Sequence, residues 1–131
     1  MLAALLAGGF AGAQTGKTWE ADLGTYTFQG CERSGANVVC SLSYTQSNSD
    51  SHTLSQTISE LTYYRADGTT GNAQNVAIAG KWEIGGASVD VGRDVPISVQ
   101  FRFPYPASAT TIKRLVLMGQ RFDNLPIKGT Q

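Results

Sequence analysis

The two cysteines of the chain, Cys31 and Cys40, lie in the stretch GCERSGANVVC. Two thiols at this spacing could form a disulfide, contribute to a metal site, act as a redox pair or remain free. A structural zinc site needs four ligands, and the only other cysteine or histidine of the chain is His52. Redox pairs typically have two residues between the cysteines, which is not the spacing here. The segment has the pattern of a β-hairpin, and the apolar leader at residues 1–13 predicts export to an oxidising compartment, so we predict a structural disulfide between Cys31 and Cys40, with free thiols as the alternative.

Hydrolytic chemistry in this chain would depend on His52, which lies in the serine-rich segment QSNSDSHT close to Asp50. A nucleophilic serine needs a base to activate it, and a Ser-His-Asp set can be assembled from this segment. The G-x-S-x-G motif that exposes the nucleophile of many hydrolases is absent from the sequence. Acidic residues are scattered between Glu20 and Asp123, so the sequence does not pair two of them for glycosidic chemistry. We predict no catalytic residues and expect His52 to be exposed in a loop.

The segment AGAQTGKT, residues 11–18, fits a relaxed phosphate-binding loop with alanine in place of the first glycine. Such a loop holds phosphates with backbone N–H groups at the start of a helix, after a buried strand. Here the segment follows an apolar leader and precedes TWEADLGTYTF, which has no helical pattern. We predict no nucleotide site and no other cofactor.

A hard cation could be held by Asp67 and Asn72 in the segment DGTTGN. This segment has too few carboxylates for a calcium loop of the EF-hand type. Transition-metal catalysis usually needs several histidines, and the chain has one. The segment therefore predicts a turn, and we predict no metal site.

Four aromatic side chains are candidates for binding a ligand or partner: Tyr63, Tyr64, Trp82 and Tyr105. Tyr63 and Tyr64 are adjacent on a predicted strand, so one of them must face away from the core. Tyr105 lies between two prolines, and Trp82 lies between two predicted strands. Exposed rings can stack on sugars or anchor a protein partner. The alternative for each ring is partial burial under the loops.

Ten basic and ten acidic side chains leave the chain without net charge at pH 7. A neutral chain has no electrostatic reason to bind nucleic acid or an anionic membrane, so we predict neither. The cations nearest the C-terminal end predict a solvated face. They are Lys113, Arg114, Arg121 and Lys128.

Residues 1–13 are apolar or glycine, and Ala11-Gly12-Ala13 has the small residues of a cleavage site. This pattern predicts a secretory leader that is removed before Gln14. The apolar run is too short to span a membrane. We therefore expect a protein that is secreted or located in the periplasm or cell envelope. The alternatives are a buried N-terminal strand or helix, or an uncleaved terminus that docks on another chain or on lipid.

Period-two alternation of apolar and polar residues is the recurring signal beyond the leader. The clearest case is VPISVQFRF, in which Val95 and the four alternate residues after it form an apolar face. Pro96 suggests that this strand begins at a sheet edge. No segment has a helical stripe over three turns. The sequence predicts an all-β domain over residues 14–131, a two-sheet immunoglobulin-like sandwich of about seven to nine antiparallel strands, with a small β-barrel as the alternative.

The hairpin around the cysteines contains a conflict of parity. Tyr26 and Phe28 form the apolar face of the first strand, but Cys31 lies on the opposite parity. A one-residue slip in register moves every side chain to the other face of a sheet. A β-bulge near Gly30 resolves the conflict, because glycine tolerates the backbone angles of a bulge. We therefore predict that Phe28 pairs with Leu42 and Tyr26 with Tyr44.

The cysteine hairpin, YYRADGTTGN, VPISVQFRF and the closing FDNLPI follow one another in an order that resembles small exported bacterial immunoglobulin-like domains of uncharacterised function. The likeness covers Tyr26 to Lys128 and implies the fold but no catalytic residue. We expect a non-enzymatic protein-interaction or structural accessory module of the cell envelope, with carbohydrate binding as the alternative and a hydrolase third. Exposed aromatics beside a polar groove would favour a sugar, whereas an apolar patch or an open strand edge would favour a protein partner.

Overall fold

A computed structural model describes residues 15–47 and 51–129 of the chain. These residues form twelve strands and one short 3-10 turn, η1 (Ile58–Glu60), which confirms the all-β prediction. The strands are β1 (Thr18–Ala21), β2 (Gly24–Ser34), β3 (Asn37–Gln46), β4 (Ser51–Thr57), β5 (Leu61–Tyr64), β6 (Thr70–Asn72), β7 (Asn75–Ile78), β8 (Lys81–Ile84), β9 (Gly86–Gly92), β10 (Ile97–Pro104), β11 (Thr111–Leu117) and β12 (Gln120–Lys128). The predicted leader, Gln14 and Asp50 lie outside the described residues.

Ten of the strands form one sheet in the order β6-β5-β11-β12-β2-β3-β10-β7-β8, with β1 added alongside β2. This sheet curls into a half-barrel, and β4 and β9 form a second, two-stranded sheet. The described strands pair antiparallel, apart from a short parallel pairing of β12 with β2. The architecture fits both a sandwich and a small barrel.

The described residues form three more strands than the upper end of the predicted range. The additional strands are the short strands β1, β6 and β8. Tight turns create two of them. Asp22 and Leu23 join β1 to β2 with φ of 56° and 66°, and Ala79 and Gly80 join β7 to β8 with φ of 56° and 83°. Positive φ at both central positions is typical of two-residue hairpin turns. The turn at Leu23 is hard to predict because side chains other than Gly and Asn rarely adopt this conformation.

The core lies on the inner face of the curled sheet, and β4 and β9 add Leu54 and Val91 to it. Burial of each large apolar side chain stabilises the fold by about 1.5–3 kcal/mol. The fully buried rings are Tyr26, Phe28, Tyr44, Phe101, Phe103 and Phe122.

One polar network crosses this core near the turn between β1 and β2. The Tyr26 hydroxyl donates to Asp22 Oδ2 at 2.7 Å, and Gln56 Nε2 donates to the Tyr26 hydroxyl at 2.5 Å. The Tyr44 hydroxyl donates to the backbone carbonyl of Asp22. Trp19 stacks on the Tyr26 ring with 5.6 Å between ring centroids. Burial, together with the hydrogen bond to Asp22, raises the pKa of Tyr26.

The predicted bulge and disulfide are both confirmed. The register of β2 and β3 shifts between Phe28 and Gly30, so that Phe28 pairs with Leu42 and Cys31 lies opposite Cys40. Gly30 has a φ of 117°, a conformation that L side chains rarely adopt. The two cysteines are bonded and buried. A structural disulfide is typical of proteins in an oxidising environment.

Two predictions for the segment VPISVQFRF are wrong. Val95 is 64% exposed, and β10 begins only at Ile97. The strand lies inside the sheet between β3 and β7, where we expected an edge. Pro96 precedes the first paired residue, so its missing N–H group is not required by the ladder. The alternation is otherwise confirmed, because Val99, Phe101 and Phe103 are buried.

Candidate functional site

Tyr63 and Tyr105 belong to the core, which corrects two of the four candidate aromatics. Tyr63 is 2% exposed and Tyr105 is 7% exposed. The Tyr63 ring stacks on Phe103 with 4.6 Å between centroids, and Tyr105 packs edge-on against both rings. Tyr105 is fixed further because its hydroxyl donates to the Tyr64 carbonyl at 3.0 Å. Neither ring has a free face, so Tyr64 and Trp82, both half-buried, remain as candidates.

Trp82 lies beside a polar groove on the outer face of the curled sheet. The groove has a volume of about 280 Å³. We call it the Trp82 groove, and it is lined by Glu32, Arg33, Ser34, Val39, Trp82, Gln100 and Arg102.

Strand register places these residues together. Trp82 lies opposite Ala77 of β7, and Gln100 of β10 lies between Ala77 and Ser41 of β3. Trp82, Gln100 and Ser41 therefore occupy one row across the sheet. Arg102 lies two residues along β10 from Gln100, so its side chain emerges from the same face. The row contains one large ring and several small or polar side chains.

Hydrogen bonds hold the polar side chains of the groove. The Arg102 guanidinium lies 4.3 Å from the centroid of the Trp82 ring, and its Nε donates to Asn75 Oδ1 at 3.3 Å. Gln100 Nε2 donates to Ser41 Oγ at 3.3 Å. Within residues 15–47 and 51–129, the terminal nitrogens of Arg102 and the side-chain carbonyl of Gln100 make no hydrogen bond. Donors and an acceptor are thus available to a ligand beside the indole ring.

The predicted bulge extends the groove toward β12. A depression of about 220 Å³ lies over the bulge and is lined by Gln29, Gly30, Cys31, Glu32, Ser41 and Lys128. Glu32 lines both the depression and the Trp82 groove. Its carboxylate has no hydrogen-bond or ion-pair partner in the part of the chain that the structure describes. The bulge therefore shapes the surface, in addition to shifting the pairing register between β2 and β3.

Tyr64 lies in a different setting, a cleft of about 290 Å³ on the outer face of β5 and β11. We call it the Tyr64 cleft, and it is lined by Tyr64, Arg65, Gly68, Lys113 and Arg114. From the sequence we expect Lys113 and Arg114 to lie on a solvated face. The structure instead places both beside a candidate aromatic ring.

A paired irregularity in β11 and β12 produces this arrangement. Ile112 and Leu115 are both buried although they are three residues apart, and the same holds for Leu125 and Phe122 on β12. In both strands, the alternation of inward and outward side chains therefore shifts by one residue between these positions. The cross-strand pairing is interrupted there at Lys113, and Asn124 of β12 has a φ of 54°. As a result, consecutive cationic residues of β11 reach the same cleft.

His52 is not a loop residue, which corrects another prediction. It lies in β4 opposite Val91 and is half-buried on the inner parity of the strand. Its side chain makes no hydrogen bond to any serine or cysteine among the described residues. The Asp67–Gly68 turn is confirmed, since the Asp67 carboxylate accepts hydrogen bonds from the backbone and hydroxyl of Thr69 at 2.9 and 2.6 Å.

Sequence patterns gave no signal for Arg33, which lies at the end of β2 in the wall of the Trp82 groove. Its guanidinium donates to the carbonyls of Tyr105 at 2.8 Å, Pro106 at 2.6 Å and Ala109 at 3.2 Å. These contacts fix the loop between β10 and β11. The partners lie more than 70 residues away in sequence, so no local pattern can reveal them.

Comparison of the chain with protein-family models, curated proteins and solved structures gives no match. No helix among the described residues is long and apolar enough to cross a membrane. No group of three or more histidine, cysteine, aspartate or glutamate side chains in residues 15–47 and 51–129 is arranged to hold a metal ion. A functional assignment therefore depends on the geometry of the two surfaces.

Proposed function

We propose that this protein is a non-enzymatic binding module that takes a neutral carbohydrate in the Trp82 groove. The observation behind the proposal is a half-exposed indole ring beside a groove of hydrogen-bonding side chains. A sugar ring has an apolar C–H face that packs on an aromatic ring, and hydroxyl groups around its edge. The uncommitted groups of Glu32, Gln100 and Arg102 supply both acceptors and donors for hydroxyl groups.

The composition of the groove favours a sugar over a protein as its occupant. The centres of protein interfaces are enriched in aromatic residues and depleted in serine and glutamate. The Trp82 groove instead contains one ring among Glu32, Ser34 and Gln100, with Ser41 bonded to Gln100. Ligand sites generally combine a concave surface with a few well-placed polar groups.

We further propose that the module is exported and has an immunoglobulin-like sandwich fold. The disulfide between Cys31 and Cys40 supports export, because such bonds persist in oxidising compartments. The predicted leader supports it independently. Carbohydrates are present in the cell envelope and outside the cell, where such an exported module would be located.

A protein partner that adds a strand to β8 is the second candidate function. Among the described strands, β8 pairs only with β7, and Ile84 on it is 87% exposed. Alternating antiparallel pairing turns the backbone groups of Trp82 and Ile84 away from β7, toward this open edge. The edge also has features of a protected one, because β8 is short and contains the charged pair Lys81–Glu83 at 3.8 Å. This candidate therefore ranks below the sugar.

Calorimetric titration with a panel of neutral mono- to tetrasaccharides tests the primary proposal. At least one sugar should bind, and Trp82→Ala should weaken its binding at least tenfold while the protein stays folded by circular dichroism. Tyr64→Ala is the matched control, because it removes another half-buried ring from the outer face of the same sheet. If no sugar binds, or if Trp82→Ala binds as tightly as the parent protein, the proposal is wrong.

A photo-reactive amino acid at position 84 tests the strand-addition candidate in the native envelope. A crosslinked product at position 84 that is absent at position 23 supports a partner on β8. Leu23 is a suitable control because it is an exposed apolar residue away from β8. Equal crosslinking at the two positions removes this candidate.

A further inference from the structure

We propose that the Tyr64 cleft is a second ligand site, which takes a single sugar unit bearing a carboxylate or phosphate group. This site is independent of the Trp82 groove and of the function proposed for it. The cleft has space for one sugar ring, with the ring of Tyr64 beside it and three cationic side chains around it.

Arg65 is fixed in place without being neutralised by its hydrogen-bond partners. One terminal nitrogen donates to Thr69 Oγ1 at 3.2 Å and to the Thr70 carbonyl at 2.9 Å, and the other donates to the Tyr63 hydroxyl at 3.0 Å. All three acceptors are neutral. Arg65 therefore keeps an unneutralised positive charge beside the cleft that it lines, although its guanidinium is held on the Tyr63 side of β5.

Tyr63 can support Arg65 because Gly71 lies directly opposite it on β6. A Cβ atom at Gly71 would lie 2.6 Å from both Cζ and the hydroxyl oxygen of Tyr63. The absence of this atom lets the Tyr63 ring lie across the edge strand, where the Arg65 guanidinium sits 5.1 Å from its centroid. A side chain at position 71 would displace the ring and, with it, the guanidinium.

Arg114 is held on both sides. Its guanidinium lies 5.6 Å from the centroid of the Tyr64 ring, and its Nε donates to Asp123 Oδ1 at 2.8 Å. Asp123 also accepts from Arg121 at 3.1 Å. The hydrogen bond from Arg114 is the main cause that lowers the pKa of Asp123, so one ionised carboxylate serves two guanidinium groups.

Lys113 is the cation that is free to close on a ligand. It is exposed, and in the described part of the chain its amino group has no ion-pair partner. It lines both the Tyr64 cleft and a neighbouring hollow of about 490 Å³ bordered by Tyr105, Pro106 and Asn124. A larger ligand could therefore extend past Lys113 into the hollow.

The charge of this region exceeds what its own ion pairs require. Four cationic side chains face two carboxylates, which leaves a net charge of +2. The six groups are Arg65, Lys113, Arg114, Arg121, Asp67 and Asp123. The whole chain has no net charge, so this surplus is a local concentration rather than a general property of the surface.

Titration monitored by NMR tests the proposal with four probes at low salt: a hexuronate, a hexose 6-phosphate, the uncharged hexose and inorganic phosphate. We expect the two acidic sugars to bind and to shift signals of Tyr64, Arg65 and Lys113, with tighter binding than either the hexose or phosphate alone. Lys113→Gln should weaken binding about three- to tenfold. Lys81→Gln, at the opposite end of the sheet, should leave it unchanged.

Three results would overturn the proposal. They are binding of the hexose as tight as that of the hexuronate, binding of inorganic phosphate as tight as that of the acidic sugars, and an unchanged affinity for the acidic sugars in Lys113→Gln. Gly71→Ala supplies a second variant, which should weaken binding of the acidic sugar without removing any charge. An acidic peptide that binds more tightly than every sugar would replace the sugar by a protein partner and would also count against the proposal.

Discussion

The Trp82 groove and the Tyr64 cleft are built from the same unit, an arginine side chain over a half-buried aromatic ring on the outer face of one sheet. The guanidinium of Arg102 is bonded to the neutral amide of Asn75 and shares its groove with Glu32. Arg114 is bonded to Asp123 and lies among further cations. The ring and the arginine therefore define a binding surface at each place, whereas the surrounding charges determine which ligands can bind there.

Of the changes considered, removal of the disulfide should lower the stability of the protein most. Of the two binding surfaces, it should affect only the Trp82 groove. Cys31→Ala with Cys40→Ala reopens a short loop, which should lower the free energy of unfolding by about 2.7 kcal/mol. Thermal unfolding should show a fall in Tm of roughly 10 °C. Since Cys31 lines the depression that extends the groove, sugar binding there should weaken while anion binding in the cleft stays unchanged.

The parent protein after reduction and alkylation is the control for this variant. It should lose at least as much stability as the variant, because both sulfurs are buried and the added alkyl groups must also be accommodated. A double variant that melts within about 2 °C of the parent would show that the disulfide does not stabilise the hairpin. Equal weakening of both sites would show that the disulfide does not act on the groove selectively.

The hairpin that contains this disulfide was the most predictable part of the fold. Period-two alternation and the pairing of Cys31 with Cys40 are both local constraints, and their conflict placed the bulge at Gly30. The position of Pro96 was misread because its meaning depends on where the ladder begins, which tertiary pairing determines. Tyr105 is buried by contacts with distant rings, and these leave no mark in the neighbouring sequence.

The candidate sites were less predictable than the fold. Tyr64 is predictable because adjacent residues on a strand face opposite sides of the sheet, whereas Trp82 is predicted between two strands and in fact lies in β8. The sequence indicates only a solvated face for the cations around Tyr64, because a simultaneous change of face in β11 and β12 has no signature in either strand alone. Arg33 was missed because its acceptors are backbone carbonyls of a distant loop.

Tyr26→Phe should change stability without affecting either site, because Tyr26 lies in the core that both surfaces share. The substitution leaves the buried amide of Gln56 without its acceptor, which should cost about 2 kcal/mol at neutral pH. Urea unfolding at pH 7 measures this loss. Titration of the folded variant should give parent affinities at both sites, whereas a change at one site alone would connect that site to the core network.

Titration of Tyr26 should also make the free energy of unfolding depend on pH in the alkaline range. Burial raises the pKa of Tyr26 in the folded protein, whereas the unfolded chain has an ordinary tyrosine pKa of about 10. Above pH 10 the unfolded state therefore loses its proton first, and the free energy of unfolding falls as pH rises. Tyr26→Phe should show a smaller fall between pH 7 and pH 11 than the parent. An equal fall in both proteins would contradict this account.

Arg33→Met should weaken sugar binding in the Trp82 groove and disturb the hollow beside Lys113, because its guanidinium lines the groove and holds the loop that borders the hollow. The variant keeps much of the apolar stem but removes three hydrogen bonds to the loop between β10 and β11. We expect a loss of about 1–2 kcal/mol in the free energy of unfolding, with lower affinity for a neutral sugar in the groove and for any larger acidic ligand that extends past Lys113 into the hollow. Lys81→Met is the matched control, since its only ion pair among the described residues is with Glu83. An effect on the groove alone would show that the loop is held without Arg33.

Added salt should change ligand affinity less than the substitutions do. It should nevertheless distinguish the two surfaces most directly, because only one of them is expected to bind a charged ligand. Exposed charges interact over about 10 Å at 0.1 M ionic strength and over shorter distances as salt increases. Binding of an acidic sugar in the Tyr64 cleft should therefore weaken a few-fold between 50 and 300 mM sodium chloride, because Lys113 and the neighbouring cations attract it through solvent. Binding of a neutral sugar beside Trp82 should change by less than about 1.5-fold, since packing on a ring and hydrogen bonds to hydroxyl groups involve no net ligand charge. Lys113→Gln should reduce the salt dependence at the cleft and leave the groove unaffected. If both sites respond equally to salt, local charge does not distinguish them, and the contrast drawn between Arg102 and Arg114 fails.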